Sequence, residues 1–379
     1  MNATPDHPNR PRLDASFLRT PQGWPYLLAP LIPLAVALEL AGVSATVVFA
    51  TSALGIIPTA ALMGRATEEL AARSGPGIGG LLNVTFGNAP ELIIALFALG
   101  QGLQEVVKAS IVGSIIGNIL LVLGAAMLAG GIGRDKQTFS RTGAGIQTSM
   151  LLLAAAALLM PAIFELVEGQ GLPAPGAESV NYGSTIEHLS LAVAIVLMAT
   201  YVIGLFFSLK THRDIFNPDY EDEDSWGWST RTSILALAIA GVLVGVMSEI
   251  LVGSISEASH SIGLSEFFIG VIVVAIVGNA AEHWVAVLVA MKNKMDLAVN
   301  IAIGSSAQVA LFVAPALVLC SFFIGPYPLA LVFNGFELGA IMLAILIANY
   351  VTQDGESTWF EGVQLLAVYL VFGLAFYFA

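Results

Sequence analysis

The sequence predicts an all-α polytopic membrane protein with eleven transmembrane helices, one peripheral helix followed by two inverted five-helix repeats. Three observations predict this. Of 379 residues, 57% are hydrophobic and only 11% are charged, under half the roughly 25% charged share of a soluble domain. Apolar runs follow one another from residue 25 onward, each close to the roughly 20 residues that cross a bilayer. The chain also matches itself when displaced by 191 residues.

The composition excludes whole classes of function. A mean hydropathy of +0.85 and a net charge of −13 rule out a soluble enzyme, a nucleic-acid binder and a disordered chain. Cys320 is the single cysteine, so no intramolecular disulfide, cysteine zinc cluster or iron–sulfur site can form.

Residues 1–24 form a polar, proline-rich tail with Arg10, Arg12 and Arg19. No short apolar run with a small-residue cleavage site follows, so no cleaved signal peptide is expected. Spans are expected at 25–42, 44–64, 77–100, 106–130, 143–166, 186–209, 230–252, 265–291, 296–323, 327–350 and 358–378. The layout is then a cytoplasmic tail (1–24), a peripheral helix (25–42), a first repeat (43–210), an acidic cytoplasmic linker (211–229) and a second repeat (230–379). With the N-terminus in the cytoplasm, 13 of the 14 basic residues fall on cytoplasmic segments and only Lys108 lies near an external end. Glu105, Glu165, Glu168, Glu178, Glu187, Glu257 and Glu266 lie on the external side. That asymmetry follows the positive-inside rule and supports both the span count and the orientation.

The linker carries six carboxylates within residues 214–224: Asp214, Asp219, Glu221, Asp222, Glu223 and Asp224. Such a run serves as a solvated connector. The sharper reading is a regulatory cation sensor or antenna on the cytoplasmic side.

The internal match places Gly87-Asn88-Ala89-Pro90-Glu91 on Gly278-Asn279-Ala280-Ala281-Glu282, and Gly113-Ser114 on Gly304-Ser305. Between 79 and 114 there are eight identities in 36 ungapped positions, and the weight rests on the Asn, Glu and Ser, which are uncommon inside spans. An odd number of spans separates the halves, so they must cross the membrane in opposite senses. Inverted repeats of this kind place a substrate site near the midplane at their interface.

Glu91 and Glu282 fall deep in the third and eighth spans. A carboxylate at mid-membrane costs about 2.5–3.5 kcal/mol. No Lys or Arg lies mid-span, so the compensating charge must arrive, either as protons or as a cation. Gly87 and Pro90 weaken the helix beside Glu91, and Gly278 is expected to do the same beside Glu282. Freed carbonyls, the amides of Asn88, Asn279, Asn118 and Gln308, and the hydroxyls of Ser114 and Ser305 are hard oxygen ligands, as Ca2+ requires. The one nearby imidazole is His283, which serves either as a helix–helix hydrogen-bond partner or in proton handling. Two carboxylates are neutralised by one Ca2+ or by two protons, and desolvation favours the neutral acid. Metal and protons therefore compete for the same groups, the elementary requirement for exchange. Mn2+ remains open as a substrate on this chemistry.

The motifs Gly-Asn-Ala-Pro-Glu-Leu at 87–92 and Gly-Asn-Ala-Ala-Glu-His at 278–283, with the Gly-Ser segments at 113–118 and 304–308, resemble the signature of the Ca2+/H+ antiporters, the cation/proton exchanger branch of the Ca2+/cation antiporter superfamily. The resemblance covers residues 25–379. It implies that Glu91 and Glu282 are the Ca2+/H+ carboxylates and the metal ligands, and that Asn88, Asn279, Ser114, Asn118, Ser305 and Gln308 line the site. It also implies that His283 stands where the family often has histidine, and that access alternates through movement of the second and seventh spans. Pro90 departs from the Thr or Val usual there, and the N-terminal tail lacks the length of an autoinhibitory extension.

The expected function is a secondary antiporter moving cytosolic Ca2+ against protons, with no cofactor and no enzymatic activity. Ca2+, H+ and the lipid bilayer are its partners, nucleic acid is not, and a homo-oligomer is left open. A Na+-driven Ca2+ exchanger and a broader Mn2+/H+ antiporter are the alternatives. Channels usually present rings from several subunits, and no protease motif occurs. Compact loops point to a prokaryotic plasma (inner) membrane, with a vacuolar membrane as the alternative.

Overall fold

The computed structural model describes residues 17–176, 182–211 and 226–379. The acidic residues 214–224 and Glu178, Arg10 and Arg12 lie outside them. Almost every described element is helical: α1 (Leu31–Leu40), α2 (Ala45–Gly87), α3 (Ala89–Gly100), α4 (Gln104–Ile116), α5 (Leu123–Gly131), α6 (Arg141–Leu158), α7 (Met160–Val167) and α8 (Ser184–Phe206). They are followed by α9 (Thr230–Ile262), α10 (Glu266–Phe268), α11 (Ala275–Met291), α12 (Met295–Gln308), α13 (Ala314–Ser321), α14 (Gly335–Val351) and α15 (Trp359–Phe378). Single π turns at Gly117–Val122, Ile269–Val274 and Val309–Val313 join α4 to α5, α10 to α11 and α12 to α13.

Eight helices among the described residues are long and apolar enough to span a bilayer. Leu81–Gly87 and Ala89–Gly100 form one further bent pair, and Trp24–Leu40 and Gly335–Val351 are shorter apolar helices. The protein is an integral membrane protein. The sequence places a loop between 64 and 77, whereas α2 runs as one helical element through this region. It is not straight there. A Cβ on Gly79 would come within 2.5 Å of the Ala71 carbonyl oxygen, while residues eight apart in a straight helix are about 12 Å apart along the axis. The chain therefore reverses between 71 and 79 with its helical turns largely kept.

Starts and stops follow local chemistry. Ser140, Ser229 and Ser265 accept backbone N–H bonds as N-caps of α6, α9 and α10. Asn334 with Glu337, and Thr358 with Glu361, close capping boxes on α14 and α15. Each cap satisfies amides that the helix itself leaves unpaired. Gly263, at φ 72°, ends α9 in the left-handed region.

Burial separates a centre from a rim. The spans Gln104–Gly131 and Met295–Ser321 are 83% and 72% buried, whereas Ser184–Lys210 and Trp359–Phe378 are 22% buried. The two central spans carry Ser114 and Asn118, and Ser305 and Gln308. Gly113 lets α4 approach the turn before α11 so closely that a Cβ would overlap the Val271 carbonyl.

Loop contacts sort into two groups. At one end, Gln137–Thr138 pairs antiparallel with Glu356–Ser357, Lys136 bonds Glu356 at 2.6 Å, and Arg134 donates to the Met291 carbonyl at 3.0 Å. At the other, Gln104 donates to the Tyr327 carbonyl at 2.8 Å and the Gly176 amide to Glu105 at 2.5 Å. Each group draws only on loops that the charge pattern assigns to one side.

Candidate functional site

The chain breaks at Asn88 because Pro90, two residues on, lacks an N–H and its ring excludes the preceding helical turn. The two flanking helices meet at 41°, and Glu91 falls in the first turn of α3. The positive end of the helix dipole there favours a carboxylate. A matching break at Gly278 was expected and is not found. Alpha-11 continues through Gly278, with Glu282 in its middle. Ala281 stands where the first motif has Pro90, and a lone glycine costs only about 1 kcal/mol in a helix. The irregularity on this side is the π turn at Ile269–Val274, which ends before Gly278.

The glycines serve close approach instead. A Cβ on Gly87 would lie 3.0 Å from Glu282 Oε1, and one on Gly278 would lie 3.2 Å from Glu91 Cγ. Each motif's glycine therefore abuts the other motif's glutamate. Ser114 donates to Glu91 Oε1, and Ser305 donates to Glu282 Oε2 at 2.9 Å. Both pairs are separated by 23 residues.

Cross-links complete the cluster. Asn279 donates to Glu91 Oε1 and lies 3.2 Å from Ser114 Oγ. Asn88 donates to Gln308 Oε1 at 2.6 Å, and His283 Nε2 pairs with Asn118 Oδ1 at 3.1 Å. Pro90 and Gly278 are buried, and Ala89 and Ala280 half-buried, as backbone of the two motifs. All the motif residues expected at the site are thus on one interface. Glu91 Oε2 and Asn88 Oδ1 are buried and accept no hydrogen bond from the described residues. One carboxylate oxygen and one amide oxygen are thus left open, the ligand types a hard cation takes. No group of three or more His, Cys, Asp or Glu side chains that could hold a metal occurs among the described residues. A cation here would draw on two carboxylates with amide, hydroxyl and carbonyl oxygens.

Beside Glu91 and Ser114 is a cavity of about 10 Å³, reaching Ser110 and Leu317, room for about one water. Ile111, Val309 and Val313 close it.

A profile of the sodium/calcium exchanger protein family matches residues 44–210 and 232–378. The chain belongs to this family. It is a family of ion transporters, not enzymes. Among its relatives, a Ca(2+)/H(+) antiporter of Aphanothece halophytica is 46% identical over 351 residues, covering 87% of this chain and 90% of that protein. A Ca(2+)/H(+) antiporter of Synechocystis is 43% identical, covering 93% and 96%. The solved structure of native YfkE, at 39% identity and a TM-score of 0.79, covers 94% of this chain and all of that one. A more distant structure, an H+/Ca2+ exchanger CAX at 14% identity and a TM-score of 0.69, shares the fold.

Three charged residues have roles that sequence reading missed. Glu69, 2% exposed, accepts the amides of Trp226 at 2.5 Å and Trp228 at 2.9 Å, and pairs with Arg65 at 2.7 Å. It fastens the lead into α9 onto α2. Lys108 is fully buried and donates to the Val332 carbonyl at 2.9 Å, with Tyr182 5.4 Å away. Glu337, fully buried, caps α14. The only available signal was a charge within or near the end of an apolar run, which does not specify a partner.

Proposed function

We propose that this protein exchanges cytosolic Ca2+ for protons by alternating access, with metal and protons competing for Glu91 and Glu282. The observation that carries this is the reciprocal approach of the two motifs, Gly87 on Glu282 and Gly278 on Glu91. It puts two carboxylates, each with its own serine, at one interface inside apolar helices. The relatives named Ca(2+)/H(+) antiporter at 43–46% identity support the same ions.

On this reading Ca2+ is held by both glutamates, with Asn88, Asn279, Ser114 and Ser305 supplying or orienting oxygens. Gln308 sets the Asn88 amide, and His283 sets Asn118. The narrow cavity beyond Glu91 is the closed external side, sealed by Val309, Val313 and Leu317. Two inverted five-helix repeats, 43–210 and 230–379, would carry one motif each. The contacts repeated at an offset of 191 and the family's match in two segments support that division. The acidic linker, residues 211–229, would concentrate or sense cations. The inner membrane of a prokaryote, with the N-terminus in the cytoplasm, fits the basic-residue pattern and the bacterial relatives.

The test uses inside-out vesicles, acid inside, and 45Ca2+ uptake with and without Na+. Uptake should require the proton gradient, ignore Na+, and vanish in Glu91→Gln and Glu282→Gln. Uptake driven by Na+ alone would assign the protein to the sodium-driven alternative. Uptake that survives both substitutions would remove the cation from these carboxylates. Replacing Ca2+ with Mn2+ as the competitor measures the breadth of selectivity.

A further inference from the structure

Away from the glutamates, a crevice opens between the end of α14 and the start of α15. Its volume is about 620 Å³, within the roughly 300–1,000 Å³ of ligand sites. Arg141, Asp354 and Glu361 stand at its rim, and Ile347, Leu365 and Val368 line its floor. Glu361 and Val368 are two turns apart on α15, about 10 Å at 1.5 Å per residue. The wall thus passes from charged to apolar over the depth at which a leaflet passes from headgroups to acyl chains.

The position agrees with a lipid site. Alpha-15 belongs to the outermost spans, 22% buried. Tyr350 and Trp359, 79% and 48% exposed, flank the turn as aromatic residues do at a membrane boundary. The crevice opens beside the small sheet at the end that the charge pattern assigns to the cytoplasm.

The rim charges narrow the headgroup. Arg141 is exposed and forms no salt bridge among the described residues. Glu361 holds the Thr358 amide at 2.7 Å, and Asp354 holds the Glu356 amide at 3.0 Å. Both carboxylates are therefore fixed, and the crevice is lined by one guanidinium and two acids. A purely anionic headgroup would meet two like charges for one opposite. A headgroup carrying a phosphate and a primary ammonium is matched at both.

We propose that this crevice binds one phospholipid with a zwitterionic aminophosphate headgroup. Its phosphate lies on Arg141, its ammonium on Asp354, and an acyl chain runs along Ile347, Leu365 and Val368. The site is separate from the exchange reading, and its test does not use transport.

The full chain would be reconstituted in vesicles of equal parts phosphatidylethanolamine, phosphatidylglycerol and phosphatidylcholine. It would then be re-extracted, and its bound lipid measured by native mass spectrometry. About one phosphatidylethanolamine per chain is expected, enriched at least fivefold over the mixture. Arg141→Gln should lose that enrichment, and Asp354→Asn should shift it toward phosphatidylglycerol. Val368→Phe, which fills the floor, should remove bound lipid of every headgroup. Arg141 and Asp354 lie at the surface, so these variants test the site without disturbing the core. Equal lipid composition in wild type and Arg141→Gln would overturn the proposal. So would preferential retention of phosphatidylglycerol by the wild type, or a lipid-free crevice covered by a second copy of the chain.

Discussion

Gly87 lies against the carboxylate of Glu282, so close that one added carbon would stand 3.0 Å from Oε1. The reciprocal contact, Gly278 on Glu91, makes the two motifs a single interlocked unit. Gly87→Ala and Gly278→Ala should therefore separate stability from function. Alanine favours a helix by about 1 kcal/mol over glycine, so thermal stability should hold or rise. The new methyl must displace a carboxylate, and the KM for Ca2+ should rise about tenfold, some 1.4 kcal/mol of lost binding. A vesicle uptake assay on purified variants of known melting temperature checks both halves. Unchanged KM in both variants would show that the close approach is mere packing.

Serine removal should weaken the two carboxylates in parallel. Ser114 and Ser305 each donate to one glutamate at the same 23-residue separation. A hydrogen bond to a charged acceptor contributes about 1.5–3 kcal/mol, so Ser114→Ala and Ser305→Ala should each reduce exchange by roughly ten- to a hundredfold. Glu91 keeps Asn279 as a second donor, so the loss at Ser114 should be the smaller. A larger loss at Ser114 would contradict that ordering.

The proposed competition between metal and protons would fix a slope. Metal ligands must be deprotonated, so acidification weakens Ca2+ binding. Where two protons are displaced per Ca2+, each pH unit of acidification should raise the apparent dissociation constant up to about a hundredfold. In Glu91→Gln or Glu282→Gln, residual binding should follow at most about a tenfold change per unit. Isothermal titration across pH measures the slope. A wild-type slope near zero would mean that protons and Ca2+ do not share these groups.

Glu69 predicts a stability effect remote from the ion. Its side chain is 1% exposed and that of Arg65 12%, and breaking a buried pair on one side costs about 3–5 kcal/mol. Glu69→Ala takes from Arg65 the nearer of its two carboxylates and from the Trp226 and Trp228 amides their acceptor, so it should lower the melting temperature strongly. Glu69→Gln, which keeps one acceptor, should lower it less. In whatever fraction folds, the KM for Ca2+ should stay within about twofold, since that change is well under 1 kcal/mol.

Much of this was legible in the chain. Apolar runs located the helices because a bilayer leaves few other ways to satisfy backbone groups. The doubled Asn, Glu and Ser marked residues that the fold brings together, because polar groups inside spans are costly. What escaped was pairing across helices. Asn88 with Gln308, and Asn118 with His283, have no periodicity to announce them. The expected break at Gly278 failed for a related reason. Glycine permits a break, but only proline compels one, and here the missing side chain made room for Glu91. Glu69 and Lys108 read as boundary charges because their partners are backbone groups, which every residue supplies.

The two π turns after Ser114 and Ser305 leave a final consequence for how this chain can change. Each holds one residue more than the α-helical winding around it. A one-codon deletion within 117–122 removes that spare residue and leaves the rest in place, whereas one in α5 has no spare residue to lose. Everything beyond the latter deletion would then swing by about 100° and slip about 1.5 Å. Arg134 and Gln137 would leave Met291, Ala290 and Asn293, to which they are now bonded. Length, more than residue identity, is the conserved quantity expected in α5 and α13, which follow these turns, among descendants of this sequence. Substitutions there should be tolerated where single-residue gaps are not.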